Sequence, residues 1–201
     1  MLLAFWLSST FRRNSPTFAV PEPAKPVDLE RYLGLWYELG RLPNRFERGC
    51  EGVTAEYAAR PGGIIDVVNT CREGSPDGAR RISRGRAKIV AGSGNAKLKL
   101  SFFGPFYFGN YWVLDHADDY AWSIVGEPSG RFLWILGRDP TLAEKAYDEL
   151  VDRARAAGYD MGWGSGGLVS HPHNNRQLTS RSPLRFGPRP FAHRLQCRSF
   201  A

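Results

Sequence analysis

Gly34-Leu35-Trp36-Tyr37-Glu38, led in by Asp28 to Tyr32 and followed by Arg41 to Cys50, opens the first strand-like run of this chain. A glycine with a tryptophan two residues on, inside an apolar run, suits a wide side chain that plugs one end of a small barrel. Working outward, run 34–42 stops at Pro43-Asn44. Runs 53–59 and 64–72 flank Arg60-Pro61-Gly62-Gly63, a hairpin turn in which glycine supplies a positive φ. Run 80–91 follows Ser75-Pro76-Asp77-Gly78, and run 97–103 follows Gly92-Ser93-Gly94-Asn95. Runs 110–114, 121–127 and 131–137 complete a set of eight, with short connections and no helix between them. Up-and-down antiparallel pairing is the simplest topology for such a series. Eight is also the number of strands at which a barrel closes with room for side chains or one small ligand.

One helix follows. Pro140 suits its start, Thr141 to Glu144 reads as a capping box, and Gly158 suits its end. Ala143, Ala146, Tyr147, Leu150, Val151 and Ala154 form one apolar stripe at helical spacing. That stripe needs a surface to cover, and the outer wall of a barrel offers one. The expected fold is therefore all-β: an eight-stranded up-and-down antiparallel barrel with one C-terminal α-helix packed outside.

The flanks differ from this middle. Residues 1–26 read as a leader and linker, apolar over the first seven positions and then punctuated by Pro16, Pro21, Pro23 and Pro26. Residues 161–201 show neither helical nor strand period and read as a basic, low-structure tail. The net charge of +7 divides accordingly. The tail holds six arginines and no acid, whereas residues 27–160 hold 18 cations against 19 acids. A basic face on the fold itself is what nucleic-acid binding needs, so nucleic acid is not expected as a partner. No C-x-x-C spacing occurs, and His171-Pro-His173 reads as two histidines of the tail rather than a metal site. No cofactor is implied.

Strand parity assigns the faces. Leu98, Leu100 and Phe102 share one side of their run, with Lys97, Lys99 and Ser101 on the other. Arg84, Arg86 and Lys88 lie opposite Gly85, Ala87 and Ile89. Small residues inward and long cations outward suit a hollow barrel, although aromatics from other strands could fill the space. The expected inner wall includes Leu98, Leu100, Phe102, Val113 and Trp134, with Phe106 and Tyr111 at the mouth. The aromatic run from Phe102 to Phe108 is either a mouth-lining loop for an apolar ligand or a hydrophobic end-cap. No catalytic set emerges: His116 is the single histidine of residues 27–160, and Glu38, Glu47 and Glu56 are expected at outward or end positions without pairing. The protein is therefore not expected to be an enzyme.

These residues resemble the lipocalins, in their bacterial, apolipoprotein D-like, outer-membrane lipoprotein branch. The resemblance lies in Gly34-Leu35-Trp36-Tyr37-Glu38, Arg41 to Gly49, Thr54 to Tyr57, Ser101-Phe102-Phe103-Gly104-Pro105-Phe106 and Leu133-Trp134-Ile135-Leu136-Gly137-Arg138, in order across residues 27–160. It implies an eight-stranded calyx with one helix. It implies binding of a fatty acid, a lysophospholipid or another small apolar molecule, a place in the periplasm or outer membrane, and membrane association. It pairs Arg138 with Trp36 across the closed end as a structural motif with Gly34. No cysteine precedes Cys50, so a lipid-anchor cysteine is not carried over.

Cys50 and Cys71 flank the Pro61 turn almost symmetrically, which places them nearly opposite each other. They form either a disulfide, suited to an oxidising compartment, or two reduced buried thiols. Two other functions remain open at this point. One is an enzyme acting on an apolar ligand, which needs a polar pair inside the barrel. The other is a filled barrel that serves as an interaction module through its basic tail.

Overall fold

The computed structural model describes residues 20–161 and, as backbone, residues 169–170. His171, His173, most of the leader and most of the basic tail lie outside the described residues. The expected barrel is present. Eight antiparallel strands run as β1 (Gly34–Arg41), β2 (Cys50–Arg60), β3 (Ile64–Glu73), β4 (Arg80–Ile89), β5 (Lys97–Ser101), β6 (Gly109–His116), β7 (Trp122–Gly126) and β8 (Leu133–Gly137). Each pairs with the next, and β1 pairs with both β2 and β8, so the sheet closes on itself. A short helix, α1 (Leu29–Tyr32), precedes β1, and α2 (Glu144–Ala156) follows β8.

Alternation along the strands makes two apolar layers. The inner one gathers Trp36, Tyr57, Val67, Ala87, Leu98, Tyr111 and Val125 inside the barrel. The outer one gathers Leu39, Leu114, Ile124 and Ile135 under Leu150 and Ala154 of α2. The helix thus covers the barrel's outer wall with its apolar stripe. Gly158, at φ +96°, ends it. The capping box does not form: the N-cap is Ala143, with no side-chain hydrogen bond, and Thr141 falls too far upstream to reach the first turn.

Because the strands alternate in direction, loops 42–49, 74–79, 102–108 and 127–132 share one end, the mouth. The other end is closed by α1. Past α2 the chain returns: Val169–Ser170 form β9, which pairs antiparallel with Gly40 and Arg41 of β1. Periodicity could not reveal this element, since two residues are too few to show one.

Candidate functional site

The closed end is built around Trp36, which is fully buried. Its indole Nε1 donates to the Tyr32 carbonyl at 2.8 Å. The Arg138 guanidinium lies 3.8 Å from the centre of its ring. Arg138 also donates to the carbonyls of Leu35 (2.6 Å), Arg31 (2.7 Å), Leu33 (2.8 Å) and Tyr32 (3.2 Å). The end of a helix leaves carbonyls without partners, and here one side chain takes them up. Gly34 sits at φ +91°, where a side chain would strain the backbone that leads α1 into β1.

Above this floor, Tyr32 of α1, Tyr57 of β2 and Tyr111 of β6 join hydroxyls inside the barrel. Tyr57 donates to Tyr111 at 2.9 Å, the Tyr111 and Tyr32 hydroxyls meet at 2.8 Å, and Tyr32 meets Ser123 Oγ at 3.2 Å. Ser123 Oγ donates to the Asp115 carbonyl at 3.5 Å. Read head to tail from Tyr57, the chain commits every hydroxyl proton. Burial, before any other cause, holds the Tyr32 phenol up at about 12 and raises Tyr57 and Tyr111 well above their usual value. An unfolded chain releases these protons near pH 10 and the native protein does not. Stability is therefore expected to fall as pH rises above 10, by roughly 1.4 kcal/mol per pH unit for each tyrosine. Urea unfolding across that range checks this: Tyr57→Phe should flatten the slope, and a pH-independent stability would refute it.

Next to this cluster lies a small, partly enclosed apolar cavity of about 10 Å³, room for roughly one water molecule. Leu29, Tyr32 and Leu33 form its base, and Tyr57, Ile65, Ala87, Leu98, Leu100 and Tyr111 its wall. The wall offers carbon only; the tyrosine hydroxyls turn to each other instead of into the space. Of the expected lining residues, Leu98 and Leu100 face this cavity. Val113, 1% exposed, belongs to the same interior core. Tyr111 is not at the mouth: it sits opposite Leu98 in the register, deep enough to touch Tyr32 of the floor. Phe106 is at the rim and 62% exposed.

Phe102 and Trp134 pack on the interior nearer the mouth. Gly85 does not leave a hollow there. A Cβ on it would come within 2.7 Å of the Phe102 ring, so the aromatic from the neighbouring strand occupies the space the glycine provides. Trp134 Nε1 donates to Glu47 Oε2 at 3.0 Å. Glu47 belongs to a polar group that the sequence reading placed wrongly. Glu38 and Arg41 are both 5% exposed and joined at 2.6 Å. Arg41 also lies 3.6 Å from Glu47 and donates to the Glu47 and Cys50 carbonyls. Parity carried the missing signal: Glu38 is two residues from the inward Trp36 and shares its face. Burial first, and then the neighbouring Glu38 carboxylate, raise the Glu47 carboxyl above the usual carboxylate value.

His116 is structural. Its Nδ1 lies 2.8 Å from the Ala117 carbonyl and its Nε2 3.1 Å from the Pro26 carbonyl, and its ring stacks on Tyr120 with centroids 4.4 Å apart. Among the described residues, no group of three or more His, Cys, Asp or Glu side chains could hold a metal ion. Cys50 and Cys71 form a disulfide with Cα atoms 5.4 Å apart, which decides between the two readings of that pair.

A closed eight-stranded barrel, plugged by a tryptophan under an arginine and holding an apolar cavity, carries the motifs quoted above. Residues 27–163 match the lipocalin-like domain family. The chain belongs to the lipocalins. It is 40% identical over 145 residues to the outer membrane lipoprotein Blc of Vibrio cholerae, covering 70% of this chain and 84% of that protein. It is 36% identical over 152 residues to mouse apolipoprotein D, covering 69% of this chain and 77% of that protein. Among solved structures, insecticyanin of the tobacco hornworm superposes with a TM-score of 0.56 at 22% identity, covering 76% of this lipocalin and 83% of that chain. That likeness concerns the fold. Lipocalins as a family bind small hydrophobic molecules, and the cavity of this one has the matching chemistry.

Proposed function

We propose that this lipocalin holds the acyl chain of a fatty acid or lysophospholipid, methyl end down, and stores or carries it without chemical change. The observation that supports this most is the carbon-only wall above a floor whose hydroxyls are already satisfied. Such a floor offers no proton to a carboxylate and suits a methyl terminus. The polar end of the ligand then belongs at the mouth, where Glu38, Arg41, Glu47 and the Trp134 Nε1 already provide a polar setting. Each buried methylene contributes about 0.8 kcal/mol, so a chain of roughly 14, admitted as interior side chains move apart, gains on the order of 11 kcal/mol before entropic and rearrangement costs. Half of that gives useful affinity with no ion pair.

The place of action proposed is the cell envelope, periplasm or outer membrane, where the Vibrio relative's name puts that protein and where the Cys50–Cys71 disulfide persists. Leu98, Leu100, Phe102, Val113 and Trp134 remain the proposed wall, with Tyr111 moved from the mouth to the deep part of that wall and Phe106 at the rim.

Titration with a fluorescent fatty acid tests this reading. Saturable binding is expected, and Leu100→Asp should weaken it by at least about tenfold, because an ionised carboxylate in a carbon-walled space loses its hydration. Leu100→Met should bind like the parent. No saturable binding, or equal binding by the Asp variant, would sink the proposal.

A further inference from the structure

The helix α2 rests on Leu39, Leu114, Ile124 and Ile135, which belong to β1, β6, β7 and β8. The outer face of β3, β4 and β5 has no covering helix, and it is basic in a fold that is near neutral as a whole. Inward Gly85 and Ala87 leave Arg80, Arg84, Arg86 and Lys88 of β4 pointing outward, with Ile82 among them. Inward Leu98 and Leu100 do the same for Lys99 of β5. All five cations are exposed. At about 3.4 Å per residue the row from Arg80 to Lys88 is roughly 27 Å long, and Lys99 stands beside its end.

The strand register makes this row costly. Lys88 lies directly opposite Lys99, and Arg80 directly opposite Arg72. Like charges in direct cross-strand register lower stability. Asp66 lies opposite Arg86, but its ion pair is with Arg60, at 3.3 Å. None of the five has a carboxylate within ion-pair distance among the described residues. Three of them are steadied without being neutralised. Arg86 donates to the Gly104 carbonyl at 3.2 Å, Lys99 donates to Asn110 Oδ1 at 2.6 Å, and Lys88 Nζ lies 4.7 Å from the centre of the Tyr107 ring. Long side chains are thus held in place while their charge stays available.

We propose that this row binds a linear anionic polysaccharide, with the acidic groups of the polymer along β4 and its sugar rings toward water. Charge complementarity and shape select this occupant. The cations are spread along a line and do not converge, so they suit an extended chain better than a single anion. β4 is hydrogen-bonded to β3 on one side and β5 on the other, so it offers no free edge to a peptide strand. It carries no aromatic side chain, so it gives nucleic-acid bases nothing to stack on. A second copy of the chain in a symmetric contact would bring the same cations against each other. The row lies outside the barrel and does not depend on what the cavity holds.

Titration of the full chain with dextran sulfate, with uncharged dextran as the blank, tests the proposal. Residues 161–201 add six arginines that attract any polyanion, so variants matched in charge are compared. Arg80→Gln, Arg84→Gln and Lys99→Gln together should weaken binding by at least about tenfold and flatten its salt dependence, because fewer counterions are released. Arg176→Gln, Arg181→Gln and Arg185→Gln remove the same charge from the tail and should weaken binding clearly less. The wall variant should melt at or above the parent midpoint, since repulsion across the strands is relieved. Equal affinity of parent and wall variant, with the tail variant carrying the loss, would overturn the proposal. So would a single-stranded DNA oligonucleotide that binds more tightly than dextran sulfate at the same salt, which would make the row a nucleic-acid site.

Discussion

Arg138→Ala is expected to lower the stability of the barrel by about 3 kcal/mol. The change removes the cation from the face of Trp36, worth about 1–2 kcal/mol in a desolvated setting. It also strands backbone carbonyls that share the guanidinium, those of Arg31, Tyr32, Leu33 and Leu35. Hydrogen bonds to a charged donor contribute roughly 1.5–3 kcal/mol, and water can reach some of these oxygens once the side chain is gone. For a domain of this size the melting midpoint should drop by about 6–12 °C. Arg138→Lys separates the two contributions. A lysine keeps a charge near the indole but lacks the planar fork that reaches several carbonyls at once, so it should fall between parent and alanine. Calorimetry reads both, and a parent-like midpoint for the alanine variant would show that α1 closes the barrel without its arginine. Loss of the clasp should also loosen α1, whose Leu29, Tyr32 and Leu33 form the cavity base, and so weaken ligand binding along with stability.

The second large effect concerns the bridge between β2 and β3. Cys50 and Cys71 are 21 residues apart in sequence, and closing a loop of that size stabilises by about 3 kcal/mol. Cys50→Ala with Cys71→Ala should therefore lower the urea midpoint. Reductant should bring the parent down to the level of the variant and leave the variant where it is. Equal stability of oxidised and reduced parent would refute the expectation. The bridge lies where β2 departs from regular pairing, with an irregularity between Glu51 and Thr54. It thus fixes a stretch that the ladder holds less firmly, beside the Arg41 contact to the Cys50 carbonyl at 3.2 Å.

Much of this was legible in the sequence, for a physical reason. Turn residues and period-2 alternation are local, and they fixed all eight strands and the inward parity of Leu98 and Leu100; the partnership of Trp36 with Arg138 came from the family resemblance instead. Depth along the barrel is not local. Tyr111 has the parity of a lining residue, but its distance from the mouth depends on register with Leu98 and on where α1 inserts its own tyrosine. Gly85 shows the same limit: its small size is read correctly as inward, yet the space belongs to Phe102 from the adjacent strand. Glu38 and Glu47 were misplaced because charges default to solvent in a reading that treats them singly, apart from Arg41. Burial becomes affordable only when they are paired, and the pairing spans a strand and a loop.

The β9 pairing has a consequence for solubility. β1 divides its hydrogen bonding: residues Gly34 to Tyr37 pair with β2, whereas Gly40 and Arg41 pair with Val169 and Ser170. Without those two residues the barrel would present, beside its mouth, a short run of strand backbone lacking a neighbour on one side. An uncovered edge is a template for strands of other molecules. Chains ended at Met161 should therefore fold and yet aggregate faster on storage than chains that reach past Ser170, so the returning segment guards the barrel against its own copies.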